Sequence, residues 1–383
     1  DYFDLSSHLS VNECMVQQST REFVDSEILP IIDKHFENGT FPDDLIPKFA
    51  KMGFFGINLP KEDGCSGMNN IIYGLVCQEL ERADSGVRSF ISVQNSLVMY
   101  PIHAYGSNMQ KKKWLPLLYS GKSIGCFGLT EPDHGSDPGN MKTKALKADG
   151  GYILNGTKMW ITNGTCADIS IIWAKTGDGI IRGFLVENDL DGFTASEMKH
   201  KWSLRASITS ELILQDVFVP EENLLPNIEG LQGPLNCLNQ ARYGIGWGTV
   251  GSAMAVYDAS VKYAKERLQF DKPIGSFQLV QEKLAWMLTE ITKGQLLAFH
   301  TGKNKDEGTV TPQQISMLKR NNSWMARECA KLAREIHGAN GISGEYPIMR
   351  HLMNIESVYT YEGTFDMHTL ILGEDITGIS AFR

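Results

Sequence analysis

The period of the hydrophobic pattern changes twice along this chain, so a single repeated layer cannot account for it. Up to about residue 123, apolar residues recur at helical spacing in Val16 to Ile31, Leu45 to Met52, Ile71 to Ala83 and Gln94 to Tyr105. Pro42, Pro60 and the glycines from Gly64 to Gly67 punctuate these stretches. The next hundred residues read differently: Ile169 to Trp173 and Ile180 to Val186 are short and β-rich, and Glu211 to Val219 alternates towards Pro220. Tyr152 to Trp160 joins them, with Asn155-Gly156 read as a turn. Beyond residue 232 the helical period returns in long stripes: Tyr257, Val261, Ala264 and Leu268; Val280, Leu284, Met287 and Ile291; Met325, Cys329, Leu332 and Ile336. The expected fold is therefore α+β and multidomain. It has an N-terminal α-helical domain (1–123), a middle antiparallel β domain (124–231) and a C-terminal four-helix bundle (232–383).

With 383 residues the chain exceeds what one ordinary core organises. A net charge of −9 argues against nucleic acid as a partner, because phosphate contact needs a basic face. No apolar run is long enough for a membrane span. The seven cysteines are scattered, odd in number and without a Cys-x-x-Cys pair, so neither a disulfide framework nor a metal site is expected. That usage fits a reducing compartment, the cytoplasm of a bacterium or the mitochondrial matrix of a eukaryote. Asn38, Asn155 and Asn163 each begin Asn-Gly-Thr, read as turns rather than glycosylation sites. Gly246-Trp-Gly248-Thr-Val-Gly251 spells a dinucleotide fingerprint, but it follows no strand and runs into a helical stripe. It reads as a surface for close helix packing.

Four clusters carry chemistry. In Tyr359-Thr-Tyr-Glu-Gly-Thr364 a carboxylate, Glu362, sits beside a phenol and before a glycine that lets the backbone turn sharply. Cys126-Phe-Gly-Leu-Thr-Glu-Pro-Asp-His-Gly-Ser-Asp137 offers backbone donors at Gly128 and Gly135 and hydroxyls at Thr130 and Ser136, suited to a planar heterocycle and a phosphate. Trp160-Ile-Thr-Asn163 closes a strand. Arg267-Leu-Gln-Phe270, with Gln278, lies between two bundle helices, where arginine can pair with a pyrophosphate.

In this order and spacing, the clusters resemble the acyl-CoA dehydrogenases over essentially the whole chain. The resemblance implies a homotetramer binding one FAD per subunit and passing electrons to electron-transfer flavoprotein. It implies cofactor contacts at Phe127, Leu129, Thr130, Ser136, Trp160, Ile161 and Thr162. Further contacts fall at Arg267, Phe270, Gln278, Glu335, Ile336, His337, Gly338, Ala339, Thr364, Phe365 and Asp366, with Arg267, Phe270 and Gln278 gripping a neighbouring subunit's FAD. Glu362 is implied as the base. Ser136, Leu235, Leu238, Asn239, Arg242 and Gly363 are implied around the CoA thioester.

Within the family the chain is most similar to the glutaryl-CoA dehydrogenase subfamily. Glu81-Arg-Ala-Asp-Ser-Gly-Val-Arg-Ser89 resembles the segment in which an arginine faces the end of the acyl chain. By spacing alone Arg88 fits an ion pair with Asp84 or Glu81 on one helix face. The resemblance instead sets Arg88 and Ser89 against a substrate carboxylate, with Glu81 and Tyr361 orienting the arginine. Lys319 to Asn322, Gly338 to Ile342, Arg350 to Asn354 and Ser203 to Ser207 are also subfamily-like. Val87, Asp271, His337 and Phe365 depart from its pattern. The implied reaction is α,β-dehydrogenation of glutaryl-CoA with decarboxylation to crotonyl-CoA. A non-decarboxylating or short- or branched-chain dehydrogenase, an acyl-CoA oxidase and a silent CoA-ester-binding homologue share most of these residues.

Overall fold

In the computed structural model, which describes residues 2–381, helices dominate the N-terminal third. They are α1 (Val11–Phe23), α2 (Leu29–Asn38), α3 (Ile46–Lys51), α4 (Asn70–Ala83), α5 (Ser85–Ser92), α6 (Tyr100–Tyr105) and α7 (Asn108–Tyr119). Ser10 and Ser107 open α1 and α7 as capping boxes with Glu13 and Gln110. Widened π turns at Val24–Ile28 and Val93–Met99 precede Pro30 and Pro101. A proline cannot donate to the helical ladder, and the wider turn absorbs the lost bond. Helix thus also covers Ser85 to Ser92, which the spacing left unassigned. The chain breaks at Asp84 (φ −162°, ψ 138°), whose carboxylate accepts the Gly86 N–H at 2.6 Å and starts α5.

Seven strands form the middle sheet: β1 (Gly125–Gly128), β2 (Lys144–Ala148), β3 (Gly151–Thr162), β4 (Ile169–Thr176), β5 (Ile181–Glu187), β6 (Phe193–Glu197) and β7 (Thr209–Pro220). The order is β1-β4-β2-β3-β7-β6, with β5 added to β4. The sheet is mixed, not antiparallel throughout: β1 runs parallel to β4, and β2 meets the end of β4 in parallel. The long connection after β1 supplies the crossover that parallel pairing needs. Nor is Asn155-Gly156 a hairpin turn. It forms a bulge inside the continuous β3, where the Asn155 amide exchanges two 2.9 Å bonds with Asp216 of β7. A Cβ on Gly156 would lie 2.4 Å from Thr143 Oγ1, so only glycine passes there.

The C-terminal region contains α8 (Gln232–Glu266), a small hairpin of β8 (Leu268–Gln269) and β9 (Lys272–Pro273), then α9 (Gln278–Asp306), α10 (Pro312–His337), α11 (Ile348–Thr360) and α12 (Phe365–Thr377). Met287, Ile291, Met325, Cys329 and Ile336 are buried together as their stripes predict. On α8 the buried line is Val256, Ser260 and Ala264; Leu268 has left the helix and is exposed. The Gly-x-Gly-x-x-Gly run lies within α8, where a Cβ would strike Leu318 from Gly246, Glu81 from Gly248 and the Gln78 carbonyl from Gly251. Those glycines bring α8 against α4 and α10. No described helix is long and apolar enough to cross a membrane.

Candidate active site

The turn between α11 and α12 carries Glu362. Its backbone is left-handed at Glu362 (φ 52°) and Gly363 (φ 95°). A non-glycine residue there is strained, by about 1–3 kcal/mol. Side chains from two helices hold the turn. Lys319 of α10 donates to the carbonyls of Tyr361 at 2.7 Å and Gly363 at 2.6 Å, and Arg242 of α8 donates to that of Glu362 at 2.7 Å. A Cβ on Gly363 would lie 2.8 Å from His368 Nε2, so glycine is needed for space as well as for φ. Thr364 then caps α12, accepting the Met367 N–H at 3.1 Å.

Glu362 Oε2 is buried without a protein partner. Burial raises its carboxyl above the ordinary range, opposed by the nearby charges of Arg88, Arg242 and Lys319. Burial likewise lowers the Lys319 ammonium, opposed by the neighbouring Glu362 carboxylate. His368 is held down near 2 by burial and then by Lys319, so its imidazole is neutral.

Arg88 is fully buried on α5. Its Nε donates to Glu81 Oε2 at 2.6 Å and its Nη2 to the Tyr361 hydroxyl, while Nη1 is buried with no partner. Glu81 also accepts from Ser85 at 2.8 Å. Asp84 is therefore not the partner of Arg88. It accepts from Asn354 of α11 at 2.7 Å, and Asn354 in turn accepts the Leu204 N–H at 2.8 Å. The runs Ser203 to Ser207 and Arg350 to Asn354 thus brace the helix that presents Arg88. Ser89 is buried beside it.

The loop after β1 is fastened from below. Glu131 accepts from Lys158 at 2.9 Å, from the Thr143 hydroxyl at 2.6 Å, and from the backbone N–H groups of Lys142 and Thr143. Burial opposes ionisation of Glu131, but Lys158 and these donors outweigh it and hold the carboxyl at about 2. Burial lowers Lys158 only to about 8, so the pair is charged at neutral pH. With Glu131 satisfied inside, no carboxylate projects from Phe127 to Thr130. Trp160 is left-handed (φ 64°) and 58% exposed at the neighbouring strand end. Thr162 is half-buried, whereas the Ile161 side chain enters the β core and leaves only its backbone for a ligand. Apolar residues at the end of β1, the half-buried Thr130 hydroxyl beside them and a presented indole fit a flavin.

Ser136 is exposed on that loop; Leu235, Leu238 and Asn239 are half-buried near the start of α8. Asn239 accepts from Arg242 at 3.0 Å. Arg267, Phe270 and Gln278 are not with them. They stand exposed around the α8–α9 hairpin, and Arg267 lies about 37 Å along α8 from Arg242 at 1.5 Å per residue. The segment Glu335 to Ala339 is split. Ile336 and His337 turn into the bundle, His337 stacking on Tyr263 at 4.3 Å, while Glu335, Gly338 and Ala339 are exposed. The Phe365 ring stacks on Tyr359 at 5.0 Å; Asp366 is exposed.

Sequence reasoning gave no site role to Lys319, His368 or the Lys158–Glu131 pair. The signal for Lys319 was its place on the buried stripe Ile315, Lys319, Asn322, Met325/Ala326, Cys329, a charge where the period demands an apolar side chain.

Three models describing the acyl-CoA dehydrogenase N-terminal, middle and C-terminal domains match residues 10–122, 126–217 and 229–377. The chain belongs to the acyl-CoA dehydrogenase family. The crystal structure of a glutaryl-CoA dehydrogenase from Mycobacterium smegmatis superposes with a TM-score of 0.98 at 51% identity, covering 100% of this chain and 99% of that one. A second Mycobacterium smegmatis glutaryl-CoA dehydrogenase structure, at 49% identity, 0.98 TM-score and 100% and 98% coverage, is in complex with FADH2. Among curated sequences, an acyl-CoA dehydrogenase of Bacillus subtilis is 36% identical over 97% of this chain and 99% of its own. A glutaryl-CoA dehydrogenase of Desulfococcus multivorans is 35% identical over 98% of each.

Proposed function

We propose that this chain oxidises glutaryl-CoA at the α,β bond with FAD as cofactor and decarboxylates the product to crotonyl-CoA and CO2. The carrying observation is Arg88: fully buried, braced by Glu81 and Tyr361, with Nη1 unpaired, and its charge acting on the Glu362 carboxyl. Glu81 balances the charge of Arg88, but a buried N–H left unspent is costly unless an acceptor meets it. A substrate ending in a carboxylate supplies one. Arg242 and Lys319 add positive charge around Glu362, which suits an acyl group ending in a carboxylate better than a neutral one.

Glu362 takes the α-proton, and its backbone N–H helps hold the developing enolate oxygen; one such donor is worth about 3 kcal/mol of barrier. Bound FAD supplies the acceptor for the hydride leaving the β-carbon. Phe127, Leu129, Thr130, Trp160 and Thr162 hold the flavin, over a loop fixed by Glu131 and Lys158. Loss of CO2 from the γ-carboxylate breaks the Cγ–CO2 bond and leaves its electron pair on the dienolate. Glu362, now protonated, returns a proton to give crotonyl-CoA. Arg88 binds the carboxylate first and releases it as neutral CO2.

The exposed apolar residues Leu268, Phe270 and Leu279 at the α8–α9 hairpin support pairing with a second copy, whose FAD Arg267 and Gln278 would reach. Sedimentation showing only monomer of the holoprotein would end that assembly. Electron-transfer flavoprotein is the proposed acceptor, and rapid reoxidation of substrate-reduced protein by air would instead mark an oxidase.

The test is anaerobic mixing of holoprotein with glutaryl-CoA, following flavin absorbance and acyl products. Bleaching with crotonyl-CoA and CO2 is expected. Glutaconyl-CoA alone would keep the role of Arg88 and remove decarboxylation. Bleaching by butyryl-CoA but not glutaryl-CoA would overturn the dicarboxylate reading.

A further inference from the structure

The Glu362 turn has a counterion that the reaction itself does not use. Lys319 is fully buried on α10, and two of its three ammonium donors go to the carbonyls on either side of Glu362. Arg242 takes the carbonyl in between, so three successive carbonyls of a left-handed turn are tied to two cations. Capping α11 would explain the bond to Tyr361 but not the bond to Gly363, which lies beyond the helix end.

We propose that Lys319 is a positioning residue: its ammonium fixes the turn that presents the Glu362 carboxyl and supplies part of the positive field around it. The proposal rests on Glu362 being the base.

Charged and titratable groups converge on Lys319 from every side. They are Arg242 of α8, Arg88 of α5, Tyr361 and Glu362 of the turn, and His368 of α12; Glu81 of α4 neutralises Arg88. Glu362 favours the charged ammonium, while burial, Arg242 and Arg88 disfavour it. Reciprocally, the ammonium favours the ionised carboxylate of Glu362. Removing it therefore makes Glu362 harder to ionise, and the acid limb of the rate profile moves to higher pH.

The experiment compares wild-type, Lys319→Met and Lys319→Gln holoproteins in anaerobic flavin bleaching by glutaryl-CoA across pH. A non-oxidisable CoA thioester is titrated alongside for binding. Lys319→Met is expected to bleach about 100-fold more slowly, the order found when a reacting group is misplaced by an ångström. Its acid limb should lie at higher pH, with thioester binding retained. Lys319→Gln, which keeps a donor but not the charge, should lose less rate yet show the same displaced limb. If Lys319→Met does not fold with flavin, the limb of Lys319→Gln decides. A wild-type limb in either variant, or lowered rates that simply follow lost flavin, overturns the proposal. Glu362→Gln is run in parallel: if it still bleaches, the base assignment falls, a different result from an unaffected Lys319 variant.

Discussion

Arg88 can be tested as the reader of the substrate's far carboxylate. Removing it alone would strand Glu81, fully buried, and an uncompensated buried charge costs about 3–5 kcal/mol, enough to confuse folding with function. The cleaner perturbation is the neutral pair Arg88→Met with Glu81→Gln, which keeps volume and lets Ser85 go on donating to position 81. What is lost is the charge-assisted bond from Nη1 to the carboxylate. Such bonds contribute about 1.5–3 kcal/mol net. At about 1.4 kcal/mol per decade this is about 10- to 150-fold in kcat/KM for glutaryl-CoA. Butyryl-CoA meets the same pocket without the carboxylate and should lose far less. Stopped-flow bleaching with both substrates gives the ratio directly. Equal losses, in a protein of unchanged melting temperature and flavin content, would return Arg88 to a purely structural part.

Glu362→Gln should abolish flavin bleaching while leaving CoA-thioester binding near normal; turnover by this variant would misplace the base. Because burial raises Glu362 above the ordinary carboxylate value in the free protein, the acid limb of kcat/KM should lie above 4.5, and a limb at or below it would contradict the site's electrostatics. Glu131 works in the opposite sense. With a folded value of about 2 against 4.5, its ion pair stabilises the fold above pH 4.5 and is lost as pH falls towards 2. Glu131→Gln should flatten that part of a stability-versus-pH curve and weaken flavin retention at pH 7, both measurable by thermal melts with flavin fluorescence. Gly248→Ala should slow glutaryl-CoA oxidation and lower the melting temperature, since its methyl would lie 2.1 Å from Glu81 Oε2. An unchanged substrate ratio in that variant would mean that α8 does not set the arginine's place.

The layers of the fold were legible because hydrophobic period is local: the stripe through Met287 and Ile291 is readable without knowing its partner helix. Strand direction and register were not, because they depend on where a distant strand lies. Asn155-Gly156 has the chemistry of a hairpin turn, yet Asp216, 61 residues away, turns it into a bulge. Around the candidate site, the residues belonging to short motifs could be named in advance. The parts played by Lys319 and Lys158 could not, because they consist in satisfying carbonyls and a carboxylate that only tertiary packing brings near. The pairing of Arg88 with Glu81 but not Asp84 also waited on the break at Asp84, which spends one of the two candidate carboxylates on starting a helix.

Gly248 takes no part in the ion pair of Arg88 and Glu81, yet its missing side chain makes room for it. A hydrogen atom there leaves just the depth in α8 that a carboxylate and a guanidinium from the neighbouring helices occupy. Any larger residue would compete with the ion pair for the same volume. On the proposed function, selectivity for the far end of the acyl chain is stored partly as missing bulk on a scaffold helix. A redesign towards neutral acyl groups could begin there, refilling the hollow with a methyl while Arg88 and Glu81 are replaced by apolar side chains.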